Sequence, residues 1–129
     1  MKKNLSVLFL IILFLGFNSC GTTNRIADNR LDWIGFYTGK VPGADSEINV
    51  GITLNRDDTY KVTYQYIDKS DDIFTYTGTF KWKNGNTVEL DCKEIPPYYQ
   101  VGNNTLTQLD LGGKTIVGEL ANKYILKKE

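Results

Sequence analysis

The sequence predicts an all-β fold, a small antiparallel meander that closes into a barrel. Three observations predict it. The stretch Thr59–Trp82 alternates apolar and polar residues with period two, turn signals recur every eight to twelve residues, and no segment after residue 20 shows helical periodicity of useful length. In the first half of that stretch Tyr60, Val62, Tyr64 and Tyr66 share one face while Thr59, Lys61, Thr63 and Gln65 share the other. After the polar run Asp68-Lys69-Ser70-Asp71-Asp72, the residues Phe74, Tyr76, Gly78, Phe80 and Trp82 alternate with Thr75, Thr77, Thr79 and Lys81. So short a connection makes the two runs an antiparallel hairpin, since a parallel return needs a crossover of about a dozen residues or more. The spacing turns Tyr60, Tyr64, Tyr66, Phe74, Tyr76, Phe80 and Trp82 inward.

The other elements follow in order. Trp33–Val41 reads as a strand in which Gly35 and Gly39 mark a bend or close backbone approach. Pro42-Gly43-Ala44-Asp45-Ser46 has loop chemistry; Ile48, Val50, Ile52 and Leu54 then alternate, and Asn55-Arg56-Asp57-Asp58 turns into the central hairpin. Beyond Trp82, Asn84-Gly85 is the strongest hairpin signal, because both residue types tolerate the positive φ of a type I′ turn. Val88, Leu90 and Cys92 form the next face, and Pro96-Pro97 places an edge, corner or loop there. Tyr98–Val101, Thr105–Leu111, the alternation Ile116, Gly118, Leu120 and the closing Tyr124-Ile125-Leu126 complete eight or nine strands. A meander of this size closes on itself because closure removes exposed edges, and at about eight strands the interior is filled or holds one small ligand.

The first 32 residues have a different character. Lys2 and Lys3 precede the apolar run Leu5–Phe17, 13 residues long, and Asn18-Ser19-Cys20 follows. A membrane-spanning helix needs about 20 apolar residues, so the run reads as the core of a cleaved signal peptide, residues 1–19. Phe17-Asn18-Ser19-Cys20 is similar to the bacterial lipobox, which places acylation, palmitate included, on Cys20. Several acyl chains hold a protein on a membrane without a transmembrane helix, at about 0.8 kcal/mol per buried methylene. Residues 20–32 are polar and read as a lipidated tether spanning about 20 Å as a coil and about 40 Å drawn out. The barrel domain occupies residues 33–128.

Removing Lys2 and Lys3 leaves 13 basic against 15 acidic residues, a formal charge of −2, with no basic cluster suited to nucleic acid. With Cys20 acylated, Cys92 has no partner in the chain, so the fold rests on no internal disulfide; Cys92 reads as a small buried apolar residue. There is no histidine, which removes the commonest general base and the usual activation of serine or cysteine. The carboxylates Asp45/Glu47, Asp57/Asp58 and Asp68/Asp71/Asp72 sit in expected turns and match no ordered metal loop. The chain is expected to be no enzyme and to need no cofactor.

Gly35-Phe36-Tyr37-Thr38-Gly39-Lys40-Val41-Pro42 with Gly43-Ala44-Asp45-Ser46, then Ile52-Thr53-Leu54, Asp58-Thr59-Tyr60, Gly78-Thr79-Phe80-Lys81-Trp82, Leu109-Asp110 and Gly118-Glu119-Leu120 through Tyr124-Ile125-Leu126, resembles the N-terminal domain of the NlpE family of envelope lipoproteins. The resemblance implies a lipocalin-like barrel held at the outer membrane, in a family associated with copper tolerance, surface adhesion and envelope stress. In that family the loop after the first strand reads Pro-Cys-Ala-Asp-Cys, a pair of soft thiolates suited to Cu(I). Here the matching positions are Gly43 and Ser46, so copper is not expected as a partner. With the sequence running to Glu129, the second domain that some members carry is not expected.

The expected function is a membrane-anchored binding or sensor module that contacts an envelope protein. The rival is a lipocalin-like carrier of a small apolar ligand, lined by Tyr37, Tyr60, Tyr64, Tyr66, Tyr76 and Trp82. So many rings consume a small interior, which favours a filled core, and buried tyrosine hydroxyls then need partners. Gly21 lacks the acidic character that retains such proteins at the inner membrane, which favours the outer one.

Overall fold

The computed structural model describes residues 32–129 apart from Ser70; the signal peptide, Cys20 and the tether up to residue 31 lie outside the described residues. Eight antiparallel strands form one closed barrel in chain order: β1 Gly35–Pro42, β2 Glu47–Leu54, β3 Thr59–Tyr66, β4 Phe74–Lys83, β5 Thr87–Leu90, β6 Tyr98–Gly102, β7 Thr105–Gln108 and β8 Ile125–Lys128. One 3₁₀ turn, Ala121–Tyr124, precedes β8.

The registers follow the alternation read from the sequence. Tyr60, Val62 and Tyr64 lie opposite Leu54, Ile52 and Val50 on one side, and opposite Gly78, Tyr76 and Phe74 on the other. The fold closes where β8 pairs with both β7 and β1, through Leu106↔Leu126 and Tyr37↔Lys128. Every strand sends buried side chains into one cluster, from Tyr37 and Val41 of β1 to Leu106 of β7 and Leu126 of β8. The Asn84-Gly85 turn adopts positive φ at both residues, 35° and 78°, as expected.

In a meander, successive connections alternate between the two ends of the barrel. Three connections at one end are short, 55–58, 84–86 and 103–104, and the chain enters there at Asp32. That end is plugged by Trp33, which lies just ahead of β1 and packs edge-to-face on Phe80 and Trp82 at 5.8 and 5.3 Å between ring centroids. The Tyr37 hydroxyl donates to the Trp33 carbonyl at 2.7 Å, and Lys128 Nζ donates to the Asp32 carbonyl at 2.7 Å. The opposite end, called the mouth here, carries the connections 43–46, 67–73, 91–97 and 109–124.

Three sequence expectations are corrected. The first strand begins at Gly35, and Trp33 serves as a plug instead. The strand expected over Thr105–Leu111 stops at Gln108, because Asp110 Oδ1 accepts from the amides of Gly112 and Lys114 at 2.9 and 2.8 Å and turns the chain. The alternation Ile116, Gly118, Leu120 forms no strand: Val117 is 82% exposed and Leu120 49%, since β8 already fills the place between β7 and β1.

Gly78 has a definite steric task. A Cβ there would strike the Asp91 carboxylate and lie 2.7 Å from the Tyr60 hydroxyl oxygen, whose hydrogen bond passes over this bare strand position. Gly78→Ala is expected to cost about 1–3 kcal/mol through overpacking, read as a lower urea midpoint with unchanged slope.

Candidate functional site

Two groups of side chains could carry function, one on the barrel wall and one at its mouth. On the wall, the buried Tyr60 donates to Oδ1 of the exposed Asp91 at 2.9 Å. The same carboxylate accepts from the Thr79 amide at 3.2 Å and the Thr79 hydroxyl at 3.3 Å. Asp91 follows the end of β5, and its backbone amide still reaches the Thr79 carbonyl at 3.1 Å. The Tyr60 hydroxyl holds the Asp91 carboxyl below its usual range, aided by Thr79, while burial and the Asp91 bond push the Tyr60 phenol up. Burial likewise raises Tyr64 and Tyr99, and it pushes Tyr37 up to about 12, with Asp32 adding to the shift. All these phenols are protonated at neutral pH, and those of Tyr37 and Tyr60 act as hydrogen-bond donors.

The Cys92 thiol is buried and donates to Glu94 Oε1 at 3.3 Å. Its burial agrees with the sequence reading, although it lies beyond the end of β5 rather than within it. Two buried polar atoms, Tyr99 Oη and Trp82 Nε1, have no hydrogen-bond partner among the described residues.

Of the residues put forward as ligand-lining, Tyr37, Tyr60 and Tyr64 are buried in the core, and Tyr76 and Trp82 are half-buried against it. Tyr66 is different. Together with Phe74 it was expected to face the sealed interior, yet the two are 40% and 42% exposed. Their parity is right, but they are the last residue of β3 and the first of β4, where the barrel has run out of opposing wall. Their rings meet edge-to-face at 6.1 Å, and Ile73 beside them is 60% exposed.

These rings form one side of a cleft of about 420 Å³ lined by Ala44, Asp45 and Ser46 of the β1–β2 connection and by Tyr66, Lys69, Asp72 and Phe74. Lys69 Nζ bridges to Asp45 Oδ2 at 3.0 Å, tying the two connections together. The sequence flagged Asp45 and Asp72 only as turn carboxylates; the cleft arises because neighbouring hairpins place their connections at the same end.

The cleft adjoins Gly43 and Ser46. A Cβ at Gly43 would strike the Ser46 carbonyl and come within 3.0 Å of the Ile48 side chain, so the loop in this form has no room for a thiolate at that position. Among the described residues, no group of three or more Cys, Asp or Glu side chains is placed to hold a metal ion.

These features define a small, closed antiparallel meander barrel with a cleft at one end. A sequence description of the NlpE N-terminal domain matches residues 37–119, and the chain belongs to that family. In a crystal structure, a candidate lipoprotein from Shewanella oneidensis shares 36% identity with a TM-score of 0.74, covering 83% of this chain and 98% of that one. The Cpx pathway activator NlpE from Escherichia coli has the same fold at 22% identity and a TM-score of 0.54, over 66% of this chain and 46% of that one. No curated protein matches.

The Asp91 hub gives a pH dependence. Its folded-state value is lowered, so its contribution to stability is complete above the ordinary carboxylate range, about 3.9, and is lost as pH falls through the lower folded value. Asp91→Ala is therefore expected to lower the thermal midpoint at pH 7, with the gap to the parent protein narrowing in acid below about pH 3.9; a gap constant down to pH 2 would contradict this.

Proposed function

We propose that the chain is a lipid-anchored envelope protein of the NlpE type, a non-enzymatic module that reports on the envelope by contact with a partner at its mouth. The observation that carries this reading is the position of the cleft: the exposed rings of Tyr66 and Phe74 lie at the end opposite the one where the chain enters at Asp32. With Cys20 acylated and residues 20–32 as a tether, the plugged end faces the bilayer and the mouth faces away. The outer membrane is the favoured site, on the character of Gly21. Copper lies outside the proposal, because Gly43 and Ser46 offer no thiolates and the loop leaves no room for one at Gly43.

The test is a cellular envelope-stress reporter read while the chain is overproduced. The parent protein is expected to raise the reporter, and Phe74→Ser to abolish the rise at equal membrane abundance. Cys20→Ala should stop fatty-acid labelling and release the protein from the membrane fraction. An undiminished response with Phe74→Ser, or unchanged fractionation with Cys20→Ala, would contradict the reading.

A further inference from the structure

The mouth cleft has walls of two kinds. Tyr66 and Phe74 supply exposed aromatic faces, and the two connections that frame them, 43–46 and 67–73, carry Asp45, Asp68, Asp71 and Asp72 against the single cation Lys69. An ammonium already stands in this setting: Lys69 Nζ lies 3.0 Å from Asp45 Oδ2, with the two side chains 52% and 70% exposed. An ion pair so open to water contributes little and is readily exchanged for another. The volume, about 420 Å³, is larger than one side chain and falls within the usual range for ligand sites, about 300–1,000 Å³.

We propose that this cleft receives the cationic side chain of an extended polypeptide partner, lysine or arginine, and that Lys69 occupies the same carboxylate in the unbound protein as an internal competitor. The inference rests on the reading that the mouth contacts a partner, and it supplies that partner's chemistry. A basic side chain suits both walls. Its methylene stem lies along the rings, its charge is attracted to their faces, and its head replaces Lys69 on Asp45. An acidic guest would meet the carboxylates of Asp45 and Asp72, which line the cleft, and a purely apolar one would leave the charged rim unused.

Competition gives neighbouring residues opposite effects. Loss of Lys69 frees Asp45 for the guest, whereas loss of the Asp45 charge removes the guest's anchor. The full-length lipoprotein in neutral detergent micelles is titrated by calorimetry at low ionic strength with a tetralysine amide, a tetraarginine amide and a tetraglutamate control. Binding of the cationic peptides and not of the acidic one is expected. Lys69→Gln should tighten it and Asp45→Asn weaken it, each about fivefold, and Phe74→Ala should weaken it about two- to fivefold.

Lys127→Gln, an exposed change of the same charge on β8, controls for the net charge of the whole molecule and should leave binding unchanged. The proposal is overturned if neither cationic peptide binds, if Phe74→Ala has no effect, or if Lys127→Gln tightens binding as much as Lys69→Gln. A stress reporter that still depends on Phe74 while no cationic peptide binds would end the proposal and leave the mouth as the contact surface.

Discussion

Closure of the sheet by β8 is the constraint from which the rest of the structure follows. Strands of four or five residues, such as β5, β6 and β7, have little stability as isolated hairpins. They persist here because β8 pairs with β7 on one side and β1 on the other, so the barrel has no terminal edge strand. Closure also converts an alternating pattern into an inside and an outside. Side chains at alternate positions of all eight strands meet in one cluster, and burial of that apolar surface is the main driving force for folding.

Closure makes the two ends of the barrel unequal. Trp33, Phe80 and Trp82 stop one end with rings, while Lys128 and the Asp32 carbonyl fasten the incoming chain beside them. At the other end the longer connections leave Tyr66 and Phe74 standing above the core. Polar groups drawn toward the interior are mostly accommodated by local chemistry. The Tyr60 hydroxyl reaches Asp91 across the bare face of Gly78, and that carboxylate also serves the amide that Thr79 turns toward it. The cost of placing a phenol in the core is offset by that bond.

Much of this was legible in the residues, and what escaped has physical causes. The central hairpin, the β2 face and the Asn84-Gly85 turn could be read because period-two alternation and turn chemistry are local properties. Depth along a strand is not local. Tyr64 and Tyr66 share a face, but only the lengths of neighbouring strands decide that one is buried and the other exposed. The segment Ile116–Leu120 carries strand-like alternation without becoming a strand, since its place in the ladder is taken by β8. Trp33 showed the composition of a strand start and became a plug because β1 begins two residues later. The cleft could not be foreseen, because it joins residues of two connections, Asp45 and Lys69, that meet only once the barrel has formed.

Family membership and the site therefore carry different information. The barrel is shared with the NlpE relatives, while the loop before β2 packs too tightly for a side chain at Gly43. The cleft at the mouth joins two connections that meet only while the barrel stays shut behind them. Amide hydrogen exchange along the chain measures this most directly. Closure predicts that the paired amides of β1 and β8 exchange as slowly as those of β2 and β3, all opening together in global unfolding. Rapid exchange throughout β8 while β2 and β3 remain protected would show an open sheet and contradict the account.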